Sequence, residues 1–202
     1  MEWLNKIIQV FRIRELRNKI LFVLGVFVVF RLMSTIPMPG VDIENLRGFL
    51  GQFQVLGLLN VFSGGTLANF SIIMLGLGPY ITATIILQLL TMIFPQLEQL
   101  YKEEGEAGKR KFNQYGRILT VPLAILQGYA MLTLFQRQGA IGLLSPTTVL
   151  TSMITVAAGC LLLMWLGELI TERGIGNGVS LLIFAGIVAS VPESIRETIV
   201  KW

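Results

Sequence analysis

Phe70 to Phe94 reads FSIIMLGLGPYITATIILQLLTMIF, 25 residues without a charge. A hydrocarbon core about 30 Å thick is crossed by roughly 20 apolar residues in a helix, so this stretch is long enough to span a bilayer. It is not patterned as one smooth helix. Gly76, Gly78 and Pro79 fall inside it, and a proline removes a backbone donor and collides with the preceding turn. Directly upstream, Asn60, Val61, Phe62, Ser63, Gly64, Gly65, Thr66, Leu67, Ala68, Asn69 and Phe70 form a segment too polar and too short to cross. Irregular backbone is tolerated at membrane depth only inside protein or beside a water-filled cavity. The expectation is a short half-inserted segment over 57–70, a Gly/Pro break, and then a full helix, with the break facing a polar interior.

The remaining residues point to the same solvent. Hydrophobic residues make up 53% of the chain and charged residues only 14%, against about 25% charged in an average soluble domain. This predicts one integral membrane domain over 1–202 with several spans and no soluble unit large enough to hold its own core. Cys160 is the single cysteine and lies in an apolar run, so no internal disulfide can form. There is no histidine, which removes the commonest proton shuttle and metal ligand. No Ser/His/Asp set, metal cluster or carboxylate pair at depth supports catalysis, a metal or a cofactor, and the chain is not read as an enzyme. Gly174 to Gly178 lacks the spacing and the Lys-Ser/Thr partner of a nucleotide loop, and reads as a tight interhelical turn.

In order, residues 1–19 form a basic amphipathic segment, either a helix lying in the membrane interface or a lead-in to the first span. The first span is 20–37, interrupted by Arg31, which either snorkels to the surface or faces a partner. Pro37 to Gly40 ends it, and 41–59 is an exposed loop. The second span is 71–94. Residues 95–117, the most charged region, read as a solvated loop with Gly105 and Gly108 as turn points. A third span follows at 118–135 with Pro122 in its first turn, a fourth at 147–170, a turn at 171–178, and a fifth at 179–195 weakened by Pro192 and Glu193. Arg173 suits the end of the fourth helix electrostatically, whereas Glu168 and Glu172 do not and are free to meet cations elsewhere. With the N-terminus in the cytoplasm, that side receives eleven Lys and Arg residues and the other side five, which supports this orientation. Five spans with one break are too few to enclose a polar path. An odd count per half is what inverted repeats need, so the chain is expected to be half of something larger.

Two pairs stand out by spacing. Leu77 and Ile81, and Val179 and Ile183, each share one helix face. They read either as packing and lipid contact or as a narrow aliphatic constriction that excludes water and ions. Lys109, Arg110 and Lys111 form a cluster that either orients a solvated loop or docks a cytosolic partner or acidic lipid.

At Asn60 to Gly65 (NVFSGG), Gly78 to Leu90 (GPYITATIILQLL), Glu103 to Lys111 (EEGEAGKRK) and Trp165 to Gly178 (WLGELITERGIGNG), the chain resembles the SecY family. That family supplies the channel subunit of the protein-conducting translocon. The resemblance runs from about Lys19 to the last residues and looks bacterial. It implies an all-α, polytopic membrane bundle in which these five helices are one half of a ten-helix inverted-repeat channel. It implies that residues 60–70 match the plug helix and that Leu77, Ile81, Val179 and Ile183 fall at pore-ring positions. Leu77 and Val179 are mild aliphatic departures there. Thr82, Gln88 and Gln127 become candidates for polar contacts at the lateral gate, and Lys109 to Lys111 for partner docking. The implied partners are SecE and SecG subunits, the SecA motor, the ribosome, signal sequences, unfolded polypeptides, the second half of the channel and the lipid bilayer. The implied location is the bacterial plasma membrane, with no cofactor.

Without the resemblance, two other classes stay open. A secondary transporter would bind a solute at its broken helix, but it usually carries an ionisable residue at depth, and only Arg31 and Glu168, near span ends, are offered. A scaffolding subunit would need neither the Gly/Pro break nor the polar half-segment.

Overall fold

The computed structural model describes residues 13–38, 60, 63–102, 105–142, 144–173 and 176–201, with side chains as far as Val191. The amphipathic reading of residues 1–12, the loop at 41–59, and Val61 and Phe62 of the half-inserted segment lie outside the described residues. Six helices follow in order among the described residues: α1 (Arg14–Thr35), α2 (Gly78–Ile93), α3 (Pro95–Lys102), α4 (Gly105–Arg137), α5 (Pro146–Glu172) and α6 (Gly178–Lys201). One isolated antiparallel bridge joins Pro37 to Ser71.

Helix α1 buries Val23, Val26, Phe30, Met33 and Ser34, a stripe at three- and four-residue steps. It starts at Arg14, so the basic residues 14–19, expected in a separate segment, are its first turns. Glu15 and Lys19 pair there at 3.3 Å, which favours continuous helix.

Helix α2 is shorter than the expected span. Residues 72–77 are turns, and the helix begins only at Gly78, with Pro79 in its first turn. Gly76 at φ +55° supplies the left-handed step before it. At Phe94 the chain bends by 113° into α3.

The charged stretch at 95–117, expected as a loop, is helical at 95–102 and 105–117, with Glu103 and Glu104 outside the described residues. Gly105, at φ +61°, is a turn point as expected, but Gly108 is a buried residue inside α4, whose 33 residues run to Arg137. The cause is a four-residue stripe of buried, mostly small side chains: Gly108, Phe112, Gly116, Thr120, Ala124, Gly128 and Leu132. It lets α4 lie close to its neighbours. A Cβ on Gly116 would stand 3.7 Å from Leu87 of α2. Packing of this kind outweighs a glycine's helix cost of about 1 kcal/mol. The same continuity puts Pro122 in the middle of the helix rather than in its first turn, with its ring exposed.

Ser145 caps α5, its hydroxyl accepting from the Thr148 N–H at 3.2 Å, and Pro146 opens the first turn. Apolar on nearly every side, α5 packs against α1, α2, α4 and α6 and is the central post of the bundle. Helix α6 runs past Pro192 to Lys201. The proline removes one hydrogen bond there, and the turns on either side carry the helix through.

The outward faces of these helices are apolar: Leu21, Leu24 and Val28 on α1, Ile118, Leu126 and Tyr129 on α4, Leu150 and Ile154 on α5, and Phe184 and Val188 on α6. So large an apolar exterior fits lipid rather than water. Helices α4 and α5 each have the length and hydropathy to cross a membrane, and α2 with α3 has them as a bent pair. Among the described residues these are two spans, or three with the bent pair counted as one, and Gly178–Val191 of α6 is a shorter apolar helix.

Candidate functional site

Leu77 and Ile81 stand at the start of α2, where the Ile81 N–H donates to the Leu77 carbonyl at 3.0 Å. Val179 and Ile183 occupy the first turns of α6. One apolar cluster takes in all four, together with Val26 and Phe30 of α1, Ile73, and Leu166 and Ile170 of α5. Leu77 is buried, and the other three are half-buried. Helices α2 and α6 each pack on α5, and α2 with α6 is not among the extensively packed pairs. The four side chains thus share one apolar cluster, here called the waist, between two helices that lean on a common third.

Local sequence sets the α6 side of the waist. A Cβ on Gly178 would fall on the Gly167 carbonyl oxygen, so only glycine allows α6 to start this close to α5. Thr171 Oγ1 accepts from the Gly178 N–H at 2.9 Å and donates to the Gly167 carbonyl at 3.0 Å. Asn177 Oδ1 accepts from the Ser180 N–H at 3.2 Å, capping the new helix. Helix α5 thus ends at Glu172 and α6 begins at Gly178, with Gly174 and Ile175 between them outside the described residues.

On one side of the waist lies a buried turn. Residues 63–70 are a run of turns rather than a continuous helix. The reason is in the backbone: Gly64, Gly65 and Phe70 have φ of +72°, +82° and +44°, which a right-handed helix excludes. Asn60 organises the run, its carbonyl accepting from the Gly65 N–H and its Oδ1 from the Ala68 N–H, each at 2.8 Å. Phe70 is fully buried against Phe135 of α4, with ring centroids 5.8 Å apart. The exit of α1 pins the far end, where Met38 N–H donates to the Phe70 carbonyl at 2.9 Å and Ile72 N–H to the Ile36 carbonyl at 3.1 Å. At the near end, a Cβ on Gly64 would stand 2.9 Å from Gly186 Cα. Gly186 is one turn of α6, about 4.5 Å of rise, beyond Ile183. The turn thus abuts the waist. Arg31 meets a partner here: its Nη1 donates to the Gly64 carbonyl at 3.2 Å in a part-buried bond, although the residue as a whole is exposed.

On the other side of the waist is an open-sided polar cavity of about 410 Å³, lined by Tyr80, Thr84, Gln88, Asn113, Arg117, Glu168, Thr171, Glu172 and Asn177, with Ile81 and Val179 at its apolar edge. Arg117 Nε donates to Glu168 Oε1 at 2.7 Å across its wall. Glu168 therefore meets a cation on another element, as its unfavourable place near a helix C-terminus foretold. The cavity itself is not legible in the sequence, because the charge density of 95–117 gives Asn113 and Arg117 the look of a loop.

The three candidate gate residues are not brought together. Thr82 Oγ1 donates to the Gly78 carbonyl at 2.9 Å, and Gln127 Oε1 lies 3.9 Å from where a Cβ on Gly78 would stand. Gln88 sits nearer the other end of α2, in the cavity. Lys109, Arg110 and Lys111 are exposed on the first turns of α4.

The SecY family model matches residues 71–202. The chain belongs to the SecY family. It is 48% identical over 199 residues to the protein translocase subunit SecY of Streptomyces galbus, covering 92% of this chain and 45% of that one. Against the protein translocase subunit SecY of Escherichia coli K12 it is 47% identical over 191 residues, covering 92% and 43%. The chain thus spans less than half the length of these SecY relatives. Two solved structures share the fold: Sec61 in the canine ribosome–channel complex from the endoplasmic reticulum, and a protein-conducting channel. Each has a TM-score of 0.60 at 23% identity, over 84% of this chain and 36% of the other. SecY is a transport-channel family, and the helices here are apolar enough to serve one in a membrane.

Proposed function

We propose that these residues are the N-terminal half of a channel subunit of the bacterial protein translocase, passing unfolded secretory polypeptides across the plasma membrane and releasing apolar segments sideways into it. Leu77, Ile81, Val179 and Ile183 are half of the pore ring, and residues 60–70 are the plug. Thr82 and Gln127, with Gln88 further along α2, belong to this half's side of the lateral gate. Lys109, Arg110 and Lys111 dock a cytosolic partner, the SecA motor or the ribosome, with the N-terminus on that side. SecE, SecG and the second half of the channel complete the assembly, and the chain itself is no enzyme.

One observation carries this reading: the Gly64 turn sits one helical turn beyond Ile183, while Ile81 and Val179 border a polar cavity on the opposite side. A conduit for every side chain cannot rely on specific binding. It needs a compliant apolar waist that grips nothing and a stopper that can leave. A charged ring would hold oppositely charged segments and draw in ions, whereas aliphatic side chains adjust around a moving chain. Sideways release then sorts segments by their transfer free energy into lipid. The test is a photocrosslinker at position 81 or 179 of the full-length channel during arrested translocation. Adducts to the arrested polypeptide are expected; adducts to lipid alone would contradict the assignment.

A further inference from the structure

Gly64 is held from two sides. Its carbonyl accepts from Arg31 Nη1 of α1 at 3.2 Å, and its Cα faces Gly186 of α6 so closely that a Cβ would stand 2.9 Å from Gly186 Cα. Helices α1 and α6 pack on one another, so the residue is seated across their contact. We propose that Arg31 is a positioning residue, a releasable latch that keeps the 63–70 turn seated, and that separation of α6 from α1 releases it. This rests on reading the turn as the plug.

The chemistry of the latch suits release. An arginine in a span is expensive to insert and is retained for a purpose. Here it donates to a neutral backbone carbonyl rather than to a carboxylate. A hydrogen bond of one charged donor to a neutral acceptor is weaker than a bidentate ion pair. It can break without stranding a second charge, and Arg31, an exposed residue in a part-buried bond, can then turn its guanidinium to water. The seat at Gly186 supplies the geometry. At φ +72°, and with no room for a Cβ, position 64 accepts only glycine. If α6 moves away from α1, Gly64 cannot keep both contacts, so one helix displacement unlocks the turn.

The experiment uses the full-length channel complex with Arg31→Met, which removes every donor, and Arg31→Lys, which keeps charge and donor. Two quantities are read: resting conductance in a planar bilayer, and alkylation of Ser63→Cys by an impermeant maleimide in a cysteine-free background that includes Cys160→Ala. Arg31→Met should raise both about tenfold or more, the population shift for losing a charge-assisted hydrogen bond, and Arg31→Lys should restore most of the wild-type behaviour. Equal leak from Met and Lys would overturn the latch, since the hydrogen bond would then be irrelevant. So would a tight Arg31→Met channel where deletion of residues 63–69 leaks, and that result would leave the plug reading standing. If the deletion also leaves conductance unchanged, the plug reading fails and the latch with it. Should Arg31→Met not assemble, Gly64→Ala attacks the other grip with Arg31 intact; it is expected to leak, and a tight channel there overturns the proposal.

Discussion

Arg117 Nε and Glu168 Oε1 are 2.7 Å apart, tying α4 to α5 between residues 51 positions apart in the chain. The arginine is about half exposed, at 47%, while the glutamate side chain is only 16% exposed. The two partners should therefore respond unequally to loss of the other. Arg117→Met leaves a largely buried carboxylate unpartnered and should cost about 1–3 kcal/mol. Glu168→Gln leaves a guanidinium that can return to water and should cost less than about 1 kcal/mol. Thermal unfolding of the purified channel in detergent, run as a double-mutant cycle, checks the asymmetry. Equal losses would show that the pair acts only as a surface contact.

Gly159 of α5 has no space for a side chain, because a Cβ there would overlap the Ile72 carbonyl oxygen. That contact seats the irregular 72–77 run on the central helix. Gly159→Ala must push the run away and should destabilise the bundle by about 1–3 kcal/mol, the usual cost of overpacking. Gly25→Ala on α1 is the control, since a Cβ there meets nothing within 4 Å. The alanine pair should separate clearly in midpoint temperature, with Gly25→Ala at or slightly above wild type because alanine favours helix.

Lys109 and Arg110 point into solvent from the first turns of α4. If they dock a cytosolic partner, Lys109→Glu with Arg110→Glu should weaken co-sedimentation of that partner with channel proteoliposomes. The deficit should shrink as salt rises, because exposed charges are screened over about 8 Å at physiological ionic strength. A deficit independent of salt would point to lost shape rather than lost charge.

The break at Gly76, Gly78 and Pro79 was legible from sequence because proline and glycine act on the backbone wherever they stand. The need of Glu168 for a distant cation was legible for a similar local reason, its place near the end of a helix. The continuity of α4 was not. Gly105 and Gly108 carry the same local signal, yet Gly105 turns and Gly108 is buried inside a helix, and only the neighbours along the four-residue stripe decide between them. The same neighbours set the place of Pro122, which is mid-helix only because α4 begins as early as Gly105. Whether Arg31 reached water or a partner depended on Gly64, 33 residues away, and no periodicity reports such a pairing. The half-inserted segment was recognisable as too polar to span, but its three left-handed residues, one of them Phe70, make it a turn stack rather than a helix. The polar cavity needed α2, α4, α5 and the start of α6 in place at once.

The most direct test of the waist is resting conductance of the full-length channel carrying Ile81→Gly with Ile183→Gly, residues that sit half-buried in one apolar cluster. Removing both side chains widens the constriction without touching the turn beyond it. A rise in ion leak of about tenfold or more over wild type is the predicted result, since gating by dewetting depends steeply on apolar bore. Conductance indistinguishable from wild type, in a channel that still assembles, would contradict a water path past these residues.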